Sequence, residues 1–176
     1  EPNSYMKTAQ STSGGFIDKK KKDGIKSRLL TWIRANFFIP DARCMWIRPS
    51  VKRIVKILDE EGIDTIITTA PPHSVHMIGL GVKKRRPQVK WIADFRDPWT
   101  KIDYFHNLPL CRWARKKHYA MERAVLSMAD DVICVTPSVG EDYRPMTSGR
   151  MHVITNGYDT SDMPQEKVAL DDMFTI

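Results

Sequence analysis

Four short runs of apolar and β-branched residues, separated by stretches of helical character, constrain this chain more than any other feature. The runs are Asp64-Thr65-Ile66-Ile67-Thr68-Thr69, Val89-Lys90-Trp91-Ile92-Ala93, Asp131-Val132-Ile133-Cys134-Val135 and Met151-His152-Val153-Ile154. Between them, residues of about Ser74–Lys84, Leu110–Met128 and Ser138–Tyr143 carry helix-forming patterns. Strands that alternate with helices, and that read as continuous apolar runs, belong to a parallel sheet. The expectation is an α/β fold in which 64–69, 89–93, 131–135 and 151–154 are parallel strands with helices on both faces. No internal repeat is present, and all-β and all-α folds fit poorly.

Upstream, Ile25, Leu29, Trp32, Ile33 and Phe37 recur at helical spacing, and Pro40 follows. A second helix is expected from about Ser50, as its N-cap, to Gly62. Residues 1–24 are polar, with Ser/Thr/Gly punctuation and the run Lys19 to Lys22, and read as a basic loop or tail. Charge sharpens this division. Of the net charge of +7, six units fall in residues 1–48, which hold ten basic and four acidic side chains. A basic segment on a nearly neutral remainder suits an acidic partner surface, either anionic lipid or nucleic acid. The composition, 41% hydrophobic and 28% charged, is that of a globular protein. No apolar run is long enough to span a bilayer, and no signal-peptide pattern opens the chain. The cysteines, Cys44, Cys111 and Cys134, form no CxxC pair and read as thiols in a reducing cytoplasm.

In open parallel sheets ligands bind beyond the carboxyl ends of the strands. Those ends read Ala70-Pro71-Pro72-His73-Ser74, Asp94-Phe95-Arg96-Asp97-Pro98-Trp99, Thr136-Pro137-Ser138 and Thr155-Asn156-Gly157-Tyr158-Asp159. The second is the sharpest. A carboxylate there can hydrogen-bond or deprotonate an acceptor hydroxyl, Arg96 can hold it charged, and Trp99 can stack on a sugar face. A structural Asp–Arg pair that pins the loop explains the same residues equally well. Asp94 has the further reading of a strand-end cap. His73 is a candidate for a polar contact to substrate. His73 and His76 stand three apart, but no third ligand is near, so a metal site is disfavoured. Ser74 and Ser138 sit near helix starts, where ordinary capping competes with anion binding. No P-loop or GxGxxG is present, and Gly79-Leu80-Gly81 lies within a helical pattern.

Four motifs in order carry a resemblance: Phe38-Ile39-Pro40-Asp41 through Trp46, Ala70 to Ser74 through Gly79, Asp94 to Trp99, and Asn156-Gly157-Tyr158-Asp159. Over about residues 25–165 the chain resembles the N-terminal domain of family 4 (group 1) glycosyltransferases of bacterial surface-polysaccharide synthesis. The resemblance implies a Rossmann-like, acceptor-side domain of a two-domain GT-B enzyme, with the nucleotide-sugar donor held by a C-terminal domain. It implies transfer to a glycan or lipid-linked acceptor with retention of anomeric configuration and without a metal or other cofactor. Phe95-Arg96-Asp97 falls where relatives place a catalytic or acceptor-contacting polar residue, often histidine. On this basis Asp97 and Arg96 are the expected catalytic residues, and His73, Ser74, Asp94, Trp99, Asn156 and Asp159 the expected substrate contacts. The usual opening strand with its glycine-rich loop and the donor-binding acidic signature are both missing. Residues 166–176 read as a linker and the start of a donor domain, so the chain is expected to be a fragment, inactive alone. The expected location is the cytoplasm, peripheral at the inner face of an anionic membrane. Two alternatives stand beside this: a non-catalytic flavodoxin-like binding module, and a basic nucleic-acid-binding domain. The second is disfavoured, because the aromatics of the basic segment follow helical spacing.

Overall fold

The strand-like runs form strands, with ends shifted by a residue or two: β1 (Thr65–Ala70), β2 (Lys90–Phe95), β3 (Asp131–Cys134) and β4 (Arg150–Val153). In the computed structural model, which describes residues 24–157 and Asp159, they make one parallel sheet in the order β1-β2-β3-β4. The helices are α1 (Ile25–Phe37), α2 (Ile47–Glu61), α3 (Ser74–Arg85), α4 (Arg112–Met128) and α5 (Pro137–Tyr143). The expected tail and Lys19–Lys22, together with Tyr158 and residues 166–176, lie outside the described residues.

Helix α2 begins at Ile47 rather than at a Ser50 cap, because a 3-10 turn at Cys44–Trp46 leads directly into it. It ends as expected at Gly62, whose φ of 65° is the left-handed conformation that closes helices.

Strand order decides which face the helices cover. When parallel strands follow one another in sequence order, right-handed crossovers place every connecting helix on the same side. Contacts agree. A Cβ on Gly79 of α3 would lie 2.4 Å from the Trp91 indole, and one on Gly140 of α5 would lie 3.2 Å from Cys134 Sγ. Val125 and Leu126 of α4 join Trp91, Ala93, Phe95 and Val132 in one buried cluster. Gly79 is thus a packing residue, as its helical context implied. Helix α2 packs outside α3, with Val51 and Leu58 against Ile78, Val82 and Val89. The expectation of helices on both faces is therefore met on one face only among the described residues. On the other face Ile67 is 65% exposed and Thr69 is exposed.

The amino ends of the strands are stapled by two aspartates. Asp130 Oδ2 accepts from Lys83 Nζ and from the Trp91 N–H, both at 2.7 Å. Asp131, buried at the start of β3, is met by Arg150 Nε (2.8 Å), His152 Nε2 (2.7 Å) and Lys90 Nζ (3.2 Å). The hydrogen bonds from Arg150 and then His152 hold its carboxyl well below the usual range. No described helix is long and apolar enough to cross a membrane.

Candidate functional site

Register aligns Ala70, Phe95, Cys134 and Val153, so the loops that follow the four strands leave from one rim. The Arg96 N–H bonds the Ala70 carbonyl at 3.1 Å, continuing this alignment into the first two loops.

At the β1 end the chain turns straight into α3, with His73 as N-cap. The helix start is closed from outside. Asp41 Oδ2 accepts the Ser74 N–H at 2.7 Å, and Trp46 Nε1 donates to Ser74 Oγ at 3.2 Å. Ser74 is fully buried and its hydroxyl occupied. Its part is therefore to join the 41–46 segment to α3, and the substrate contact expected of it has no open surface. The His73 ring stacks flat on Trp99, with centroids 4.5 Å apart and planes within 1°.

That stack changes the role of Trp99. Its side chain is 2% exposed, and its Nε1 donates to His118 Nδ1 at 3.1 Å. A ring so enclosed has no face to offer a sugar, so the stacking expectation gives way to an anchoring one. The adjoining backbone is held as firmly. The Trp99 N–H donates to the Tyr143 hydroxyl at 2.9 Å. Glu122, 2% exposed on α4, accepts from the Thr100 N–H and from Tyr143 Oη, both at 3.0 Å, and from the Thr100 hydroxyl. A buried carboxylate demands such donors, and here three meet it. Burial, then the Glu122 charge, pushes the Tyr143 phenol far up, so it stays a donor. His118, Glu122 and Tyr143 were not singled out from sequence. The available signal was a histidine and a glutamate four apart on the stripe of α4 that also buries Ala114, Val125 and Leu126.

The front of the same loop is different. Arg96 and Asp97 are exposed, and among the described residues neither side chain forms an ion pair or hydrogen bond. Among the described residues no Asp–Arg pair pins the loop. The Asp97 charge is felt by Tyr104, whose phenol is pushed up by partial burial and then by that charge. Asp94 is not part of this loop. β2 runs on through Phe95, and alternation turns Asp94 to the open face of the sheet beside Thr69 and Ile133. Asn156 and Asp159 are exposed at the β4 end. The strand that leads to them, β4, is separated from β2 by β3, roughly 10 Å at two strand spacings.

Behind the rim, Trp91 Nε1 donates to Thr68 Oγ1, which bonds His76 Nδ1, each at 2.9 Å. His76 is fully buried and belongs to the core rather than to a metal site. No group of three or more His, Cys, Asp or Glu suited to a metal occurs among the described residues. Burial pushes the imidazoles of His73 and His118 down to about 4 and that of His76 to about 3. All three are neutral near pH 7. An apolar groove of about 250 Å³ lies away from the rim, between α2, β1 and α3, lined by aliphatic residues and threonine.

The family described as Glycosyltransferase Family 4 matches residues 13–162. No curated protein and no solved structure matches significantly.

Proposed function

This chain belongs to Glycosyltransferase Family 4, and from that premise we propose that the rim is the acceptor side of a sugar-transfer site. The carrying observation is the loop after β2: its base is fixed by a satisfied buried network, while Arg96 and Asp97 stand exposed, with no side-chain hydrogen bond or ion pair among the described residues. Asp97 takes a hydrogen bond or a proton from the acceptor hydroxyl, and Arg96 sets the charge balance as negative charge moves. His73 borders the acceptor from the β1 end, and Asn156 and Asp159 contribute from the β4 end. Trp99 positions this set from beneath. The donor is a nucleotide-sugar held by a second domain, and the acceptor is a glycan or a lipid-linked glycan of surface-polysaccharide assembly. Transfer retains anomeric configuration, needs no metal, and takes place at the cytoplasmic face of a membrane. Residues 24–159 form one wall of the cleft, so alone they do not transfer sugar.

Turnover in the full-length enzyme tests the reading. Asp97→Asn and Arg96→Ala are expected to lower it by about 10²–10⁴-fold while melting stays near wild type. Near-normal turnover with a lowered melting temperature would refute it.

A further inference from the structure

The chain between Trp99 and Phe105 doubles back on itself. Six residues reach roughly 20 Å when extended, yet both rings meet one imidazole. Trp99 lies edge-on to His118 with centroids 6.2 Å apart, and Phe105 does so at 5.4 Å. Both rings are buried. Between them Thr100 is bonded to Glu122, Lys101 pairs with Asp142, and the Phe105 N–H donates to the Ile102 carbonyl at 2.9 Å. The excursion is thereby pinned to α4 at both ends and tied to α5 at its near side. Tyr104 is the aromatic that it holds out. It is 46% exposed, and among the described residues no ring packs on it and its hydroxyl forms no hydrogen bond. The Asp97 charge reaches its phenol, so the two side chains share one part of the rim.

Other exposed aromatics on α4 are differently placed. Trp113 lies under Lys117 Nζ at 4.9 Å, and Tyr119 is engaged by Phe105, with centroids 5.9 Å apart. Tyr104 combines an open ring, a buried neighbour that fixes its backbone, and a carboxylate within electrostatic reach. A pyranose has the complementary halves. Its C–H groups gather on one face, carry partial positive charge and suit the negative face of an aromatic ring, while its hydroxyls suit a carboxylate. A tyrosine with two side-chain torsions also loses little entropy when such a ligand binds. We propose that Tyr104 is the stacking platform for an acceptor pyranose, with Asp97 taking a hydroxyl of the same sugar. The role expected of Trp99 thus passes to the aromatic that buried Trp99 and Phe105 hold in place. The proposal rests on the reading of the rim as the acceptor side and deepens it, naming the ligand as a pyranose with an unbroken C–H face.

Titration of the 176-residue chain with methyl β-glucopyranoside and methyl β-galactopyranoside tests it, followed by nuclear magnetic resonance at the backbone amides of Asp97 and Tyr104. Both amides are expected to shift saturably with at least one glycoside. They should stay still with mannitol, an acyclic polyol that has hydroxyls but no ring face. Tyr104→Phe should bind within about twofold of wild type, and Tyr104→Ala about fivefold to tenfold more weakly. Urea midpoints check that each variant is folded. If Tyr104→Ala unfolds, Tyr104→Leu takes its place, with the same loss expected. Shifts with neither glycoside, equal shifts with mannitol, or unchanged binding by Tyr104→Ala would overturn the proposal. So would a Tyr104→Phe variant as weak as Tyr104→Ala, since the phenol oxygen rather than the ring would then hold the sugar. Turnover of Asp97→Asn in the full-length enzyme decides the transfer reading separately. If it falls as expected while Tyr104→Ala binds normally, transfer stands and the platform is lost. Ring-dependent binding with normal Asp97→Asn turnover keeps the platform and removes the transfer role.

Discussion

Arg96–Asp97 and Trp99–Thr100 are separated by one proline, yet the two halves of the loop sit in opposite environments. The rear half gives all its hydrogen bonds to the protein: Trp99 to Tyr143 and His118, Thr100 to Glu122. The front half gives none from its side chains among the described residues. A group already paired inside the protein is unavailable to a ligand, and one left open on a mobile loop has no fixed direction. Joining the two within five residues yields groups that are both free and aimed.

The contrast can be broken most forcefully from the rear. Trp99→Ala removes a buried indole and should cost about 3–5 kcal/mol, read from the urea midpoint. A midpoint like wild type would mean that the base of the loop is not anchored there. Glu122→Gln keeps the volume but turns an amide N–H toward donors, and a loss of about 1–3 kcal/mol is expected in the same measurement. Acid should act on the histidines around this base. His73, His76 and His118 are held below their unfolded value, so the unfolded chain binds more protons between the two. Their contribution is complete above about pH 6.5 and is lost as pH falls from there toward 4. Urea midpoints at pH 5 should lie below those at pH 7.5, and a flat profile would contradict neutral buried imidazoles. The smallest effect belongs to the front. Asp97→Asn should change stability by no more than about 0.5 kcal/mol, and a larger loss would show that the carboxylate is structural.

Sequence pattern made the sheet legible because Trp91-Ile92-Ala93 and Val132-Ile133-Cys134 are apolar throughout, although only Trp91, Ala93, Val132 and Cys134, on the helix-covered face, are fully buried. The stop at Gly62 was legible for a similarly local reason. What pattern does not carry is pairing across distance. Trp99 looks like a free aromatic until His73 and His118 close over it, and Ser74 looks like a cap until Asp41 and Trp46 arrive from upstream. Strand order is equally invisible in the pattern, so the side chosen by the helices emerged only with the topology. Asp94 was displaced by a similar effect: pairing with Thr69 and Ile133 extended β2 past the apolar run. That the loops after the four strands leave from one rim was legible as well, since the ends of parallel strands are fixed by strand direction alone.

The staples at the amino ends of the strands have an evolutionary consequence. Asp130 and Asp131 tie Lys83, Lys90, Trp91, Arg150 and His152 together at the end of the sheet opposite the rim. Gly149 lies so close beneath that an added Cβ would meet the carbonyls of Ala129 and Asp130 at 2.4 Å. Change at that end is thus penalised by folding, whereas Arg96 and Asp97 at the exposed front of the β2 loop can drift with little effect on stability. Selection can therefore proceed at one end of the sheet while purifying selection holds the other, and a substitution library confined to residues 96 and 97 would sample the rim on a nearly unchanged scaffold.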